Sequence, residues 1–257
     1  MRLGHRAAAG GDRGFTLIEL MIAMLIGVFL LGALLTIVQT NRTVFGDQNK
    51  MAQLQDGERM AMTMMSDVIQ SGGYFPQPYN GNTLTGSLIA AAPFAAGAPA
   101  FAAGQAFDGI YSAAFPGDQL AVRYMTASGD GILNCSGLPN TSGANVLYTN
   151  IFQVQQDASG NWQLTCTVNG TQYNLVSGVT NLSVLYGVKQ SAGASGNSVD
   201  TYMNANQVTA AGLWSSVISA MVQLTFTNPM AAASPAQPPT MLVQRVISVM
   251  AQSGPMQ

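Results

Sequence analysis

The first residues that could do chemistry lie at the start of a long apolar stretch, where Gly14 and Phe15 are followed by a single carboxylate, Glu19. The other polar side chains of residues 15–38 are two threonines. A carboxylate at membrane depth costs at least about 2.5 kcal/mol, so Glu19 should have a partner, and the span itself offers none. Cleavage between Gly14 and Phe15 would create a cationic amine one helical turn away, able to pair with the equivalent carboxylate of a neighbouring subunit. The motif therefore predicts a role in the assembly of subunits.

The element that must position these groups is a helix over residues 15–38. At about 1.5 Å per residue it would be roughly 36 Å long, which exceeds the roughly 30 Å hydrocarbon core of a bilayer. Ahead of it, one acid, Asp12, is outnumbered by three arginines, Arg2, Arg6 and Arg13. Basic flanks tend to stay in the cytoplasm, so the pattern predicts a single-pass chain with a cytoplasmic N-terminus and a periplasmic remainder.

The helix should continue as an amphipathic segment over residues 39–72. This segment has no proline, and its apolar residues recur at three- and four-residue spacing: Met51, Leu54, Ala61, Met65 and Val68. Gly72 and Gly73 should end it. A cluster of methionines lies in the same segment, at Met60, Met62, Met64 and Met65. Thioethers at helical spacing are far more often core than metal ligands, so we interpret the cluster as core filling.

Residues 73–257 should form a mainly antiparallel β-sheet head, and the fold class is therefore α+β. The part near residues 76–116 is rich in Ala, Gly and Pro, and its apolar residues recur at neither helical nor strand spacing. It is therefore predicted to be a loop region. Alternation then predicts strands at residues 120–124, 146–155, 162–168, 182–188, 217–226 and 242–250. One face of the fifth should carry Ile218, Ala220, Val222, Leu224 and Phe226, and Trp214 should fill the core.

The only two cysteines, Cys135 and Cys166, both follow the membrane span. An oxidising periplasm favours a bridge between them, which would stabilise the head by about 3 to 4 kcal/mol in the chain-entropy model. The alternative is a pair of unpaired buried thiols. Thiol labelling with and without reductant separates the two.

Most catalytic chemistry is missing from the sequence. The only histidine, His5, precedes the predicted cleavage site, so a mature chain has no Ser-His-Asp or Cys-His mechanism and no histidine for zinc. Four acids follow no calcium-loop pattern and are interpreted as solvated turn residues: Asp118, Asp130, Asp157 and Asp200. Net charge is −2 and no basic cluster follows the span, which argues against nucleic-acid binding. We expect no enzyme activity, no metal and no cofactor.

A basic leader, residues 1–14, followed by Phe-Thr-Leu-Ile-Glu-Leu and a hydrophobic helix resembles the type IV pilin superfamily. Further motifs resemble the PilW group of minor type IV pilins: residues 53–59 (QLQDGER), 71–74 (SGGY), 134–137 (NCSG), 185–188 (LYGV) and 214–217 (WSSV). The resemblance is specific in the helix and weak over residues 90–114. After the LYGV motif, residues 189–193 replace the acidic turn of many relatives, so we expect no ion site there.

The resemblance implies that a prepilin peptidase cuts after Gly14 and methylates the amine of Phe15, while Glu19 guides entry into a filament. It also implies a low-abundance subunit that joins other minor pilins and the major pilin at the assembly platform of a bacterial inner membrane. Such a subunit primes assembly, is carried at the pilus tip, and supports pilus biogenesis, cell adhesion and twitching motility.

Three alternatives remain at this point. A secretory signal peptide would need a shorter apolar core and a small-residue cleavage site. A type II secretion pseudopilin would share the leader, the helix and the head. A signal-anchored periplasmic binding protein or adhesin would use the loop region for an unassigned contact.

Overall fold

The structure is a computed structural model that describes residues 14–190, 198–231 and 236–250. Most of the predicted leader lies outside the described residues, and so does part of the predicted linker over residues 231–239. Residues 191–193 of the turn after the LYGV motif lie outside them as well. The chain forms two compact units, Met1–Asn49 and Lys50–Gln257, each of which is considered by itself below.

Helix α1 spans Leu17–Gln70 and begins one residue after Thr16. Within the first unit its apolar side chains are exposed, and an 18-residue window reaches a mean hydropathy of 2.8 with none of its residues buried. Among the described residues this is the one helix long and apolar enough to cross a bilayer. The helix ends as predicted, because Gly73 adopts a positive φ of 80° and its N–H donates to the Arg123 carbonyl instead of continuing the helix.

The second unit contains two antiparallel sheets. The first has the strand order β1-β2-β3-β4-β5 and is formed by Phe107–Ile110, Gln119–Thr126, Val146–Gln156, Trp162–Val168 and Thr171–Ser177. The second has the order β7-β6-β8-β9, in which β6 is Val179–Val188, β7 Thr201–Met203, β8 Val217–Thr227 and β9 Thr240–Ser248. The expected α+β fold with a long helix and antiparallel sheets is confirmed.

The core of this unit lies where the end of α1 meets the inner faces of both sheets. The helix contributes a buried stripe at three- and four-residue spacing, formed by Ala61, Met62, Met65, Val68 and Ile69. Phe107 of β1 packs its ring directly against Gly72, where any side chain would collide with it. Glycine at this position therefore allows the helix end and the first sheet to approach closely.

The methionine cluster is only half in the core. Met62 and Met65 are buried, as predicted, whereas Met60 is exposed and Met64 is half-buried. The four residues span more than one helical turn, so they cannot all lie on the face that packs against the sheets.

The predicted loop region contains more structure than its composition suggests. A 3₁₀ turn at Pro78–Asn80, a short helix α2 at Leu84–Ser87 and strand β1 all lie within it. A β-bridge between Ala91 and Phe101 closes the part between them. These elements are three or four residues long, too short to produce a readable period.

Three further elements were not predicted. Strand β5 alternates only at Tyr173 and Leu175 and β7 has three residues, so neither gives an apolar alternation long enough to predict a strand. Helix α3, Ala205–Ala211, begins with a capping box in which Asn204 and Gln207 bond each other's backbone N–H. This Asn-x-x-Gln spacing was a readable signal for a helix start.

The predicted face of β8 is right except at its first residue. Ala220, Val222, Leu224 and Phe226 are buried, but Ile218 is half-buried and Val217 is fully buried instead. The pairing with β6 shifts register between Gly187 and Val188, which reverses the alternation at this end of the strand.

The predicted disulfide joins Cys135 to Cys166, with a Cα–Cα distance of 6.2 Å. Both residues are buried, and the Cys135 N–H donates to the side-chain oxygen of Asn150 on β3 at 2.9 Å. The bridge therefore ties the loop between β2 and β3 to the middle of the first sheet.

Candidate assembly site

The first turn of α1 places Thr16 and Glu19 in mutual hydrogen bonds. The Thr16 N–H donates to Glu19 Oε2 at 3.0 Å, and the Thr16 hydroxyl donates to the same oxygen at 3.1 Å. In return, the Glu19 N–H approaches the Thr16 hydroxyl oxygen at 3.3 Å. This is the reciprocal pattern of a capping box, with Thr16 as the N-cap and Glu19 three residues later.

The expectation that the span offers Glu19 no partner was therefore wrong. The preceding turn satisfies one carboxylate oxygen with two local donors, and the positive end of the helix dipole lies beside it. The other oxygen, Oε1, has no hydrogen-bond partner among the described residues. A carboxylate held in this way is fixed in direction and retains one oxygen for a donor from another molecule.

The peptide bond between Gly14 and Phe15 lies just outside the helix. Gly14, Phe15 and Thr16 are non-helical, and Phe15 is 88% exposed. A peptide bond that leaves the helix can enter the active site of a peptidase as an extended strand, without local unfolding.

No group of His, Cys, Asp or Glu side chains in the described ranges could hold a metal ion. The four acids that we interpreted as solvated turn residues behave differently from one another. Asp130 is exposed and Asp157 is half-buried, both accept turn N–H bonds as expected for turn acids, and Asp200 is exposed.

Asp118 contradicts that interpretation because it is buried. Its Oδ1 accepts the Ser112 N–H and its Oδ2 accepts the Val184 N–H, both at 2.8 Å. Burial raises the pKa of the Asp118 carboxyl, and the two N–H bonds oppose that rise. The residue joins the loop after β1 to strand β6, which is a structural role.

Two buried charges were missed by the sequence analysis. Asp108 is completely buried, accepts the Gly109 N–H at 2.7 Å, and has a pKa raised by burial to about 7. Arg123 is also completely buried, and its guanidinium lies 4.5 Å above the Phe101 ring and donates to the Ile89 carbonyl. Both side chains are fully enclosed by the head, so we interpret them as part of its packing.

The helix and its N-terminal motif agree with a comparison to known families. Residues 11–35 match the family described as the prokaryotic N-terminal methylation motif. The start of the chain is therefore similar to the N-terminal segment of prepilin-like proteins.

A second match, over residues 151–253, is to the family described as Type IV Pilus-assembly protein W. It begins inside β3 and extends past β9, so the head is similar to that family over about half of the first sheet and all of the second. No curated protein and no solved structure matches the chain. The two family matches together support a membrane-anchored component of a type IV pilus system, with the role of a minor pilin.

Proposed function

We propose that the chain is a minor pilin that primes assembly of the pilus, caps it, or does both, through contacts between subunits. The observation that carries the proposal is the start of α1, where one oriented carboxylate lies in the first turn of an apolar stretch whose side chains are exposed. Exposed apolar surface of this length is covered either by lipid or by neighbouring helices. Glu19 is useful in the second environment, where a neighbour can supply a cation.

Processing would supply that cation. A prepilin peptidase that cuts after Gly14 and methylates Phe15 leaves a charged amine at the start of the mature chain. The amine of one subunit can approach the free oxygen of Glu19 on its neighbour, and a buried pair of this kind is strongest away from water. In its own subunit, the Thr16 N–H keeps the carboxylate pointed toward the helix start.

The expected topology follows from the same segment. The arginines before the span keep the N-terminus in the cytoplasm, and the head lies in the periplasm until the subunit enters the pilus, where we place it at the tip. The disulfide supports an oxidising location for the head. The partners are other minor pilins, the major pilin, the prepilin peptidase and the inner-membrane assembly platform.

A complementation experiment tests this function. A strain lacking the gene receives the native chain, Glu19→Ala, or the control Asp56→Ala, which removes an exposed carboxylate from the same helix outside the membrane. We expect the native chain and Asp56→Ala to restore surface pili and twitching, and Glu19→Ala to fail although it is present in the membrane.

Two results would contradict the proposal. Normal pili with blocked protein export in the deletion strain would identify a secretion pseudopilin. Full activity of Glu19→Ala would show that the helix is only an anchor, as expected for a periplasmic binding protein or adhesin.

A further inference from the structure

Helix α1 leaves its apolar stretch at a single arginine. Arg42 is the first charged residue after Glu19, and it follows Val38, the end of the apolar stretch, by four residues. Its Cα therefore lies about 6 Å farther along the helix axis. The headgroup layer of a bilayer is about 5–8 Å thick on each side of the hydrocarbon core, and tilt accommodates an apolar stretch longer than that core. In a spanning helix, Arg42 thus lies at the depth of the lipid phosphates.

The charge of Arg42 has no partner within the helix. Ion pairs along a helix join residues three or four positions apart. Those positions around Arg42 hold no acid, since they are Val38, Gln39, Phe45 and Gly46. Arg42 is exposed, and no carboxylate in the described part of the chain forms an ion pair with it. The cation is therefore available to an anion from outside the chain.

A shallow groove of about 410 Å³ lies beside Arg42 on the surface of α1. It is lined by Val38, Asn41, Arg42 and Phe45. Val38, Arg42 and Phe45 follow one another at four- and three-residue spacing, so they share one face of the helix. Side chains of a helix lean toward its N-terminus, so the guanidinium and the ring lean back toward the apolar stretch. The groove thus joins a cation and an amide to two apolar walls.

The surroundings of the groove suit lipid better than water. The hydroxyls of Thr40 and Thr43 donate to the Thr36 and Gln39 carbonyls at 2.9 and 3.1 Å, so these donors need no water as a partner. Phe45 is 65% exposed. Burial of a Phe side chain contributes about 1.5–3 kcal/mol, which favours contact of this ring with the membrane.

An anionic lipid is the occupant that these residues select. A guanidinium binds phosphate oxygens through two parallel N–H bonds, and the Asn41 amide adds a further donor. The apolar walls then meet the glycerol end of the acyl chains. Phosphates surround every side of a spanning helix at this depth, whereas a neighbouring helix would have to bring an acid to it. A parallel second copy of α1 brings none, because the sequence has no acid between Glu19 and Asp47.

We propose that the groove formed by Val38, Asn41, Arg42 and Phe45 binds the phosphate headgroup of an anionic lipid in the leaflet where α1 leaves the membrane. Arg42 supplies the charge, Asn41 donates a hydrogen bond, and the two apolar residues contact the start of the acyl chains. Such a contact fixes the depth of the helix, because movement along its axis would take Arg42 away from the phosphates. The inference requires only that α1 spans a bilayer, so it is independent of the role of Glu19.

The test measures the lipid that the full-length chain retains. The chain is purified in a mild detergent, freed of bound lipid, and titrated with phosphatidylglycerol or phosphatidylcholine that have the same acyl chains. Native mass spectrometry counts the lipids that remain bound. We expect Arg42→Gln to retain about fivefold less phosphatidylglycerol than the native chain, because one basic residue near a membrane surface contributes about 1 kcal/mol toward anionic lipid. Retention of phosphatidylcholine should change little.

The matched control is Arg59→Gln, which removes the same charge from the same helix. Arg59 lies about 25 Å farther along the axis. It is exposed and pairs with Asp56 at 3.2 Å. We expect this variant to retain as much phosphatidylglycerol as the native chain. Inorganic phosphate should not displace the lipid, because it lacks the acyl chains that contact Val38 and Phe45.

Three results would overturn the inference. Equal retention by Arg42→Gln and the native chain would show that Arg42 does not hold the lipid. An equal loss in Arg42→Gln and Arg59→Gln would show that net charge, and not the groove, attracts it. Displacement by inorganic phosphate would show that the groove takes a free anion. In each case the complementation test of Glu19→Ala still decides the proposed function by itself.

Discussion

The rings of Tyr186 and Trp214 contact each other edge to face, with centroids 4.9 Å apart. The two residues belong to separate motifs of the sequence, and the fold brings them together in the core of the head. The indole N–H of Trp214 donates to the Thr209 hydroxyl at 3.0 Å, so the same side chain also fixes the end of α3. Aromatic pairs with this geometry contribute about 0.5–1.5 kcal/mol beyond burial.

The first prediction concerns this pair. Trp214→Ala should lower the free energy of unfolding by about 3–5 kcal/mol, because it leaves a large cavity beside Tyr186. Trp214→Phe should cost less, since a ring remains and the bond to Thr209 is the main loss. Urea unfolding of the full chain in detergent measures both, and equal stability of the two variants would show that the ring contact contributes little.

The second prediction concerns the disulfide. Reduction, or Cys135→Ser with Cys166→Ser, should cost about 3 to 4 kcal/mol, because the bridge closes a loop with a sequence separation of 31 in the unfolded chain. Thiol labelling of the denatured chain checks the bridge itself. Labelling should require reductant, and labelling of the untreated chain would contradict it.

The third prediction concerns the pH dependence of stability. Burial raises the pKa of Asp108 in the folded head from an ordinary value of 3.8 to about 7. The folded state therefore binds more protons than the unfolded state within this window, and stability falls as pH rises from about 4 to about 7. The contribution of protonated Asp108 to stability is fully present below the pKa of this carboxyl in the unfolded chain. It is lost as pH rises through the pKa of the folded state.

Asp108→Asn should remove the contribution of Asp108 to the fall of stability with pH, which is on the order of 1 kcal/mol per pH unit. Thermal unfolding of the variant and of the native chain is measured at pH 4 and at pH 8. The stability of the variant minus that of the native chain should be larger at pH 8 than at pH 4. A smaller slope should remain, because burial also raises the pKa of Asp118 and Glu58. An unchanged difference between the two pH values would contradict the assignment to Asp108.

The fourth prediction concerns Asp118. Asp118→Ala leaves the buried Val184 N–H and the partly buried Ser112 N–H without their acceptor, and the loss at a buried donor costs about 1–3 kcal/mol. Hydrogen exchange should speed up at both amides, while Asp130→Ala, at an exposed turn, should leave them unchanged. Equal rates in the native chain and Asp118→Ala would show that these bonds do not hold the loop against β6.

The difference between Asp118 and Asp130 shows what the sequence could and could not predict. Helix α1 and the long strands were predictable, because their apolar period is long and Gly73 marks a stop. A single acid in a turn carries no such signal, since its burial depends on which distant strand lies above it. Asp118 meets Val184, which is 66 residues away along the chain.

The burial of Arg123, within a strand, also depends on a distant part of the chain. It alternates with Val122 and Tyr124, which predicts a solvated side chain on the opposite face of β2. The part of the chain around Ile89 and Phe101 folds over that face and buries it. The start of α1 was partly predictable: the Gly-Phe junction and Glu19 were recognised, but the capping role of Thr16 was not, although its spacing to Glu19 is that of a capping box.

The last prediction concerns processing at the start of the chain. The intact mass of the protein from cells with an active prepilin peptidase should show loss of residues 1–14 and one added methyl group, on Phe15. Cells without the peptidase should give the full-length mass. The variant Glu19→Gln provides a second comparison. Its peptide bond after Gly14 still lies outside the helix, so the peptidase should still cleave it, whereas the processed variant should fail to assemble. An unprocessed native chain would remove the charged amine, and with it the reason for a carboxylate at Glu19.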